Sequence, residues 1–341
     1  MGSVKDLSVI KLPAGEKPGR GRFEFSDRYS VFDWGEMPDH IPHKGQALCI
    51  ISAYFFEKLE ERGVSTHYRG LVEDGEVKKL ADLTGPVDEM EVSLVRVLEP
   101  EYNDGNYDYS NYTGEEKNCL IPLEIIYRNT LPEHSSFRRR VRAGEIDIAE
   151  YRLSSLPEPG TFLEVPIFDV STKLEASDRY ISWEEARELA GLNEVEQEEI
   201  NRVLQLVNNL ITEETGKAGL KNLDGKIELA FNSNRELMVV DALGTPDECR
   251  FSYRGFSVSK EAVRKYYRQT DWYQEVKKNK SEGTMDWKQG VTEPPALPEE
   301  VLDQVAQLYM ACTNLVTGRE WFADIAPLEE IKENLEELTA Q

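Results

Sequence analysis

The order in which two periodicities follow one another constrains this chain more than anything else in it. Short β-like runs come first, at residues 7–12, 22–25, 91–97 and 119–127, and return at 226–231 and 237–241. Helical spacing appears at 47–62, through Leu48, Ile51, Tyr54, Phe55 and Leu59, then after Ser182, and again at 299–317 and 327–338. Strands and helices do not alternate as regular βαβ units, and no internal repeat is present. A doubly wound parallel sheet is therefore excluded, and an α+β fold with antiparallel pairing is predicted. The 341 residues suggest roughly two domains, or one large one with an appendage, and with 40% of them hydrophobic the chain can fill a sizeable core.

Several local features refine this outline. Residues 14–21 read as a turn-rich loop, and residues 101–117, rich in Tyr, Asn, Asp and Gly, as a surface insertion. Ser182 with Glu185 forms a capping-box pattern. In the next helix Ile200, Val203, Leu204, Val207, Leu210 and Ile211 make one apolar stripe, as expected for core packing. Residues 232–236 join two strands as a hairpin. Residues 278–298, with Gly283, Gly290, Pro294, Pro295 and Pro298, read as a linker.

Charge narrows the partners. Forty Lys and Arg against 64 Asp and Glu give a net charge of −24, the wrong sign for nucleic acid or an anionic membrane. No apolar run approaches the roughly 20 residues of a membrane span. The first ten residues lack a signal-peptide core, and Asp6 stands where a myristoylation pattern needs Ser or Thr. Cys49, Cys119, Cys249 and Cys312 are dispersed, so reduced thiols and a cytoplasmic setting are expected. The four histidines form no metal-binding pattern, which leaves a hard ion held by carboxylates as the expected kind of metal. Neither a Walker nor a Rossmann phosphate loop is present.

Candidate chemistry lies in a few segments. Ser135 and Ser136 precede Arg138, Arg139, Arg140 and Arg142, and follow Arg128; hydroxyls beside guanidinium groups suit a phosphate, or else form a solvated, salt-bridged helix face. Arg264, Lys265 and Arg268 form a second basic cluster among tyrosines. Asp224, Lys226 and Glu228 alternate along one strand and face one side. Asp241 ends the returning strand. An even connecting loop would put it beside Glu228, whereas an odd one would put the two on opposite faces. Two such carboxylates could hold Mg²⁺ on nucleotide phosphates, or simply make cross-strand pairs with lysine. The turn Thr245-Pro246-Asp247 places Asp247 and Arg250 at a strand end, and Lys173 closes another after Ser171-Thr172.

Taken in order, these pieces resemble SAICAR synthetase (phosphoribosylaminoimidazole-succinocarboxamide synthase). Residues 26–33 with Ile41-Pro42-His43-Lys44-Gly45 are similar to its "DRxSxFD…IPxKG" signature, residues 121–128 to its "PxExxxR" strand, and Pro166-Ile167-Phe168 with Ser171-Thr172-Lys173 to its "PIF…STK" segment. Residues 224–228 are similar to "DxKxE", and residues 241–250 to "DE…TPDxxR". The resemblance spans roughly residues 21–270. It implies a β-rich nucleotide-side domain at 1–120, a larger α+β domain at 121–341, and an ATP cleft between them. It also implies a ligase that joins a carboxyaminoimidazole ribotide to L-aspartate with ATP and Mg²⁺, with small-molecule partners and an oligomeric state left open. On the family pattern Glu228 and Asp241 would hold the metal, and Lys226 would lie near the nucleotide phosphates. Arg128, Ser135, Ser136, Asp247, Arg250, Arg264 and Arg268 would serve the ribotide, and Lys173 and Asp224 the reacting centre. The family's N-terminal Gly-Lys hairpin is absent, Lys17 and Arg20 being the nearest candidates, and Ala242 stands where a glutamate is usual. A non-catalytic or altered-specificity paralogue that binds a phosphorylated ribotide is the alternative these two departures suggest.

Overall fold

The computed structural model describes residues 4–103, 105–281 and 287–339. Two antiparallel sheets carry the architecture, as the α+β expectation requires. The first has the order β1-β2-β5-β3-β4, built from β1 (Lys5–Lys11), β2 (Gly19–Phe25), β3 (Tyr68–Glu73), β4 (Glu76–Lys78) and β5 (Glu89–Leu94). Helix α1 (Lys44–Glu61) crosses its inner face. A separate two-stranded ribbon of β6 (Glu101–Asn103) and β7 (Asn106–Asp108) follows.

The second sheet comprises β8 (Cys119–Thr130), β9 (Phe162–Thr172), β10 (Lys221–Phe231), β11 (Leu237–Val240), β12 (Cys249–Tyr253) and β13 (Phe256–Val258). The long central strand β10 pairs with β8 along one flank. On its other flank it pairs with β12 at its start and with β11 at its end. Every residue of β8 is buried, because helices and neighbouring strands cover both faces. Helices α2 (Ser136–Ala143), α3 (Trp183–Ala190) and α4 (Glu194–Lys217) come before β10. After β13 follow α5 (Glu261–Tyr267), α6 (Asp271–Ser281), α7 (Glu299–Thr317) and α8 (Leu328–Leu338). The stripe on α4 is buried from Ile200 to Ile211, and α1 packs on both α4 and α7, so one apolar core runs beneath both sheets.

Backbone contacts fix how the sheets meet. The Val239 amide donates to Ser65 O at 2.9 Å, and the His67 amide donates back to Val239 O at 3.0 Å. Farther along, the Leu120 amide donates to Arg96 O at 2.8 Å. The signature 26–45 seats α1 against β2: the Gly45 amide donates to the Asp27 carboxylate at 2.9 Å, and a Cβ on Gly45 would lie 2.3 Å from Phe25 O.

Three local readings are corrected. The insertion at 101–117 is not all loop, since residues 101–103 pair with 106–108 as the β6–β7 ribbon and Tyr102 packs against Tyr107 across it. Ser182 does cap α3, but Glu185 turns to Arg179 and does not reach back. The reciprocal capping box belongs to Asn193 and Glu196 on α4. The stretch expected as a linker begins inside α6 and includes a short 3₁₀ turn at Trp287–Gly290. Gly283 lies outside the described residues.

Candidate active site

The β10–β11 hairpin has a five-residue loop, because Phe231 pairs with Leu237 and Glu228 with Val240. By strand alternation alone an odd loop sends Asp241 to the face opposite Glu228. The chain overrides this at the last residue. Asp241 has a φ of 71°, a left-handed conformation that takes it out of the pleat, and both carboxylates line one cavity of about 360 Å³. Leu7, Val9, Leu12, Val97, Leu120 and Val240 give that cavity apolar walls, contributed by both sheets.

Cations from separate elements meet the pair. Lys5 on β1 reaches Asp241 at 2.7 Å, and Lys173, just after β9, bonds Glu228 and lies 3.6 Å from Glu124. Lys226 donates to Glu124 at 2.6 Å and lies 3.3 Å from Glu248. Burial pushes the Glu228 carboxyl up, and the charge of Asp241 adds to that against the pull of Lys173. Burial would raise Asp241 as well, but Lys5 and Lys173 outweigh it and hold this carboxyl below the ordinary range. For Lys173, burial favours the neutral amine, yet Glu228 and Asp241 keep it charged. A buried carboxylate, Glu228, and a half-buried one, Asp241, both held among cations, form a donor set suited to a hard divalent ion. Among the described residues no cluster of three or more Asp, Glu, His or Cys could hold a metal.

At the other end of β10 lies a second cavity of about 310 Å³, walled by charge. Its centre is a row across three strands: Asp224 on β10 stands opposite Arg128 on β8 and Arg250 on β12. Arg250 Nε donates to Asp224 Oδ1 at 2.7 Å, with a second bond from its Nη2. Arg128 is held on Asp169 at 2.9 Å and donates to Ser136 Oγ at 3.1 Å. Tyr180 lies near Arg128 and stacks under Arg140, a second guanidinium on Asp169. Arg264 and Lys260 close the far wall. Asp247 also lines the cavity, with Lys44 at 3.0 Å and the Tyr309 hydroxyl donating to it at 2.6 Å. Burial alone would raise its carboxyl, but Lys44 and Lys260 bring it below the usual carboxylate range.

Of the residues singled out from sequence, Arg128, Asp224, Lys226, Asp247, Arg250 and Arg264 line this charged cavity, and Glu228 and Asp241 the apolar one. Lys173 joins the two through Glu228 and Glu124. Ser136 touches Arg128, whereas Ser135 spends its hydroxyl on capping α2, accepting from the Arg138 amide. Three residues stand apart. Arg268 pairs with Glu261 and lies over Phe32, and Lys17 and Arg20 are exposed, Arg20 3.8 Å from Glu91. Sequence reasoning assigned no role to Lys5, Glu124, Tyr180 or Lys260. Glu124 carried a usable signal, since it sits in the strand read as "PxExxxR" and pairs in register with Glu228. Lys5 carried none, because a lone lysine near the N-terminus has no motif around it.

With this geometry in hand, comparison with known proteins is direct. A family model described as SAICAR synthetase matches residues 8–280. A chain of Archaeoglobus fulgidus, provisionally named a phosphoribosylaminoimidazole-succinocarboxamide synthase, is 54% identical over 338 residues and covers 99% of both chains. The synthase of that name from Thermoplasma acidophilum is 33% identical over 308 residues, spanning 88% of this chain and 93% of the relative. Among solved structures, SAICAR synthase from Saccharomyces cerevisiae complexed with SAICAR has a TM-score of 0.61 at 24% identity, over 94% of each chain. A SAICAR synthetase in complex with ADP gives 0.54 at 21% identity, over 87% of this chain and 99% of the other. Both share its fold.

Proposed function

Because the chain belongs to the SAICAR synthetase family, whose members are ligases forming a carbon–nitrogen bond, we propose that it joins a carboxyaminoimidazole ribotide to L-aspartate with hydrolysis of ATP. The observation that carries this reading is one strand, β10, with a carboxylate pair at one cavity and an arginine-flanked aspartate at another. Four steps along the strand carry Asp224 to Glu228, roughly 13 Å. That spacing suits a nucleotide and a ribotide that meet end to end near Lys173 and Lys226.

In this reading the nucleotide base lies against Leu7, Val9, Leu12 and Val97, in a cleft between a β-rich unit at 1–120 and a larger α+β unit at 121–341. Glu228 and Asp241 would hold Mg²⁺, which would supply charge neutralisation at the phosphates. With the carboxylates occupied, Lys5 and Lys173 are free to turn toward phosphate oxygens. Lys5 then does from β1 what the family's Gly-Lys hairpin does, a role for which Lys17 and Arg20 stand too far out. Arg128 and Arg250 clamp the ribotide phosphate bidentately, with Ser136 and Arg264 beside them. Asp224 orients Arg250 through its paired hydrogen bonds. The ribotide carboxylate attacks the γ-phosphorus and ADP leaves, giving an acyl phosphate. The aspartate amine then attacks the carbonyl carbon, loses its proton and expels inorganic phosphate. Lys173 and Lys226 offset the negative charge that grows at each step. The dispersed, buried thiols suit a cytoplasmic enzyme.

Calorimetry tests the division of labour. Glu228→Gln should weaken Mg-ATP binding at least about tenfold and leave ribotide affinity unchanged, and Arg250→Ala should do the reverse. Equal losses for both ligands in either variant would refute two separate sites.

A further inference from the structure

Lys173 stands at one foot of a six-residue loop, 173–178, closed by Thr172 and Arg179: the Thr172 amide donates to Arg179 O at 3.0 Å, and the Arg179 amide donates to Thr172 Oγ1 at 3.1 Å. Beyond the other foot, Tyr180 touches Arg128. The middle of the loop is secured from outside. The Ala176 amide donates to the Tyr107 hydroxyl at 2.8 Å, and the Tyr109 hydroxyl donates to Glu175 at 3.2 Å. Glu175 in turn takes Arg179 at 3.1 Å. Tyr107 is the middle residue of β7 in the β6–β7 ribbon, which the family motifs do not cover, and Tyr109 follows directly after that strand.

The ribbon is otherwise exposed, so burial does not explain it. Its base, by contrast, is anchored. Tyr112 is buried, Arg96 donates to both Glu116 and the Lys117 carbonyl at 2.7 Å, and Arg235 donates to the Glu116 carbonyl at 2.6 Å. Tyr102 packs across the ribbon on Tyr107, with ring centroids 4.8 Å apart and planes tilted at 52°, which ties the two strands together. A stiff arm with a fixed base and two hydroxyls on one loop is built to hold that loop. We infer that the β6–β7 ribbon is a brace for the Lys173 loop, and that Tyr107 and Tyr109 are positioning residues for the chemical step. Neither tyrosine lines the charged or the apolar cavity of the site, so both act through Lys173. The inference rests on the ligase reading for its kinetic consequence, though not for its structural one.

The test is Tyr107→Phe combined with Tyr109→Phe, which keeps both rings and removes both hydroxyls. The expected result is a kcat about tenfold lower with KM for the ribotide within about twofold, since a slightly misplaced group slows chemistry while Arg128 and Arg250 still bind substrate. The urea midpoint should stay the same, and exchange of the Ala176 amide should quicken at least about fivefold. Wild-type kcat in the double variant, or unchanged Ala176 exchange, would overturn the brace. A wild-type chain with no turnover would instead sink the ligase reading, and amide exchange would then decide the brace without it.

Discussion

At the scale of single residues, a backbone angle decides whether the carboxylate pair exists. Alternation was legible in the sequence and placed Asp224, Lys226 and Glu228 on one side of β10. The left-handed turn at Asp241 was not, because Asp tolerates a positive φ better than most residues yet adopts it at few positions, and nothing local marks this one. The arginine-rich segment shows a second limit. Its composition suits a phosphate, but Arg138 is spent on the Leu131 and Pro157 carbonyls, and although Arg128 and Arg140 share Asp169, of these guanidinium groups it is Arg128 that lines the charged cavity. Residue type tells which groups could bind an anion, and tertiary contacts decide which remain free. Lys173→Ala or Asp241→Asn should each lower turnover at least about a hundredfold, the usual effect of removing one positioned electrostatic group. Steady-state kinetics check this, and near-normal turnover in either variant would mean that the site is misassigned.

At the scale of elements, β1, β2, β5, β8, β10, β11 and the long helices followed from periodicity, whereas β3, β12 and the shortest pieces did not. Strands β4 and β13 have three residues each, too few for any period to show. What holds such pieces is side-chain chemistry. Glu73, at the end of β3, bonds Lys78 at 2.6 Å, the Thr84 hydroxyl and amide at 2.7 and 2.9 Å, and the Gly85 amide at 3.3 Å, tying the β3–β4 hairpin to the segment after it. The Lys78 ammonium, together with these donors, lowers the Glu73 carboxyl from 4.5 to about 2. A carboxyl lowered on folding stabilises the native state above its unfolded pKa and loses that contribution as the pH falls through the folded one. Wild type should therefore exceed Glu73→Gln in urea midpoint at pH 5, and the gap should shrink steadily toward pH 2. A gap independent of pH would show that the knot is not ionic.

At the scale of the whole molecule, the site depends on parts far apart in sequence being locked together. Lys44 on α1 is fully buried and meets Asp247, in the turn between β11 and β12, at 3.0 Å. It also donates to the Arg28 carbonyl at 3.2 Å. The "IPxKG" and "TPD" segments were legible as separate signatures, but their pairing across 200 residues was not, because local periodicity carries no information about long-range contact. Lys44→Met should cost about 3–5 kcal/mol, since it strands the Asp247 charge in the interior. Chemical denaturation measures it, and a loss below about 1 kcal/mol would show that Asp247 finds another partner.

The reaction itself is tested most directly by ADP release. Purified chain with Mg-ATP, ribotide and L-aspartate should release one ADP for each carbon–nitrogen bond formed, and omission of the ribotide should return the rate to background. Asp241→Asn should abolish most of that release while the ribotide still binds. No ADP above background with all substrates present, or release indifferent to the ribotide, would contradict a carboxylate-held metal and an arginine-held ribotide working at opposite ends of one strand.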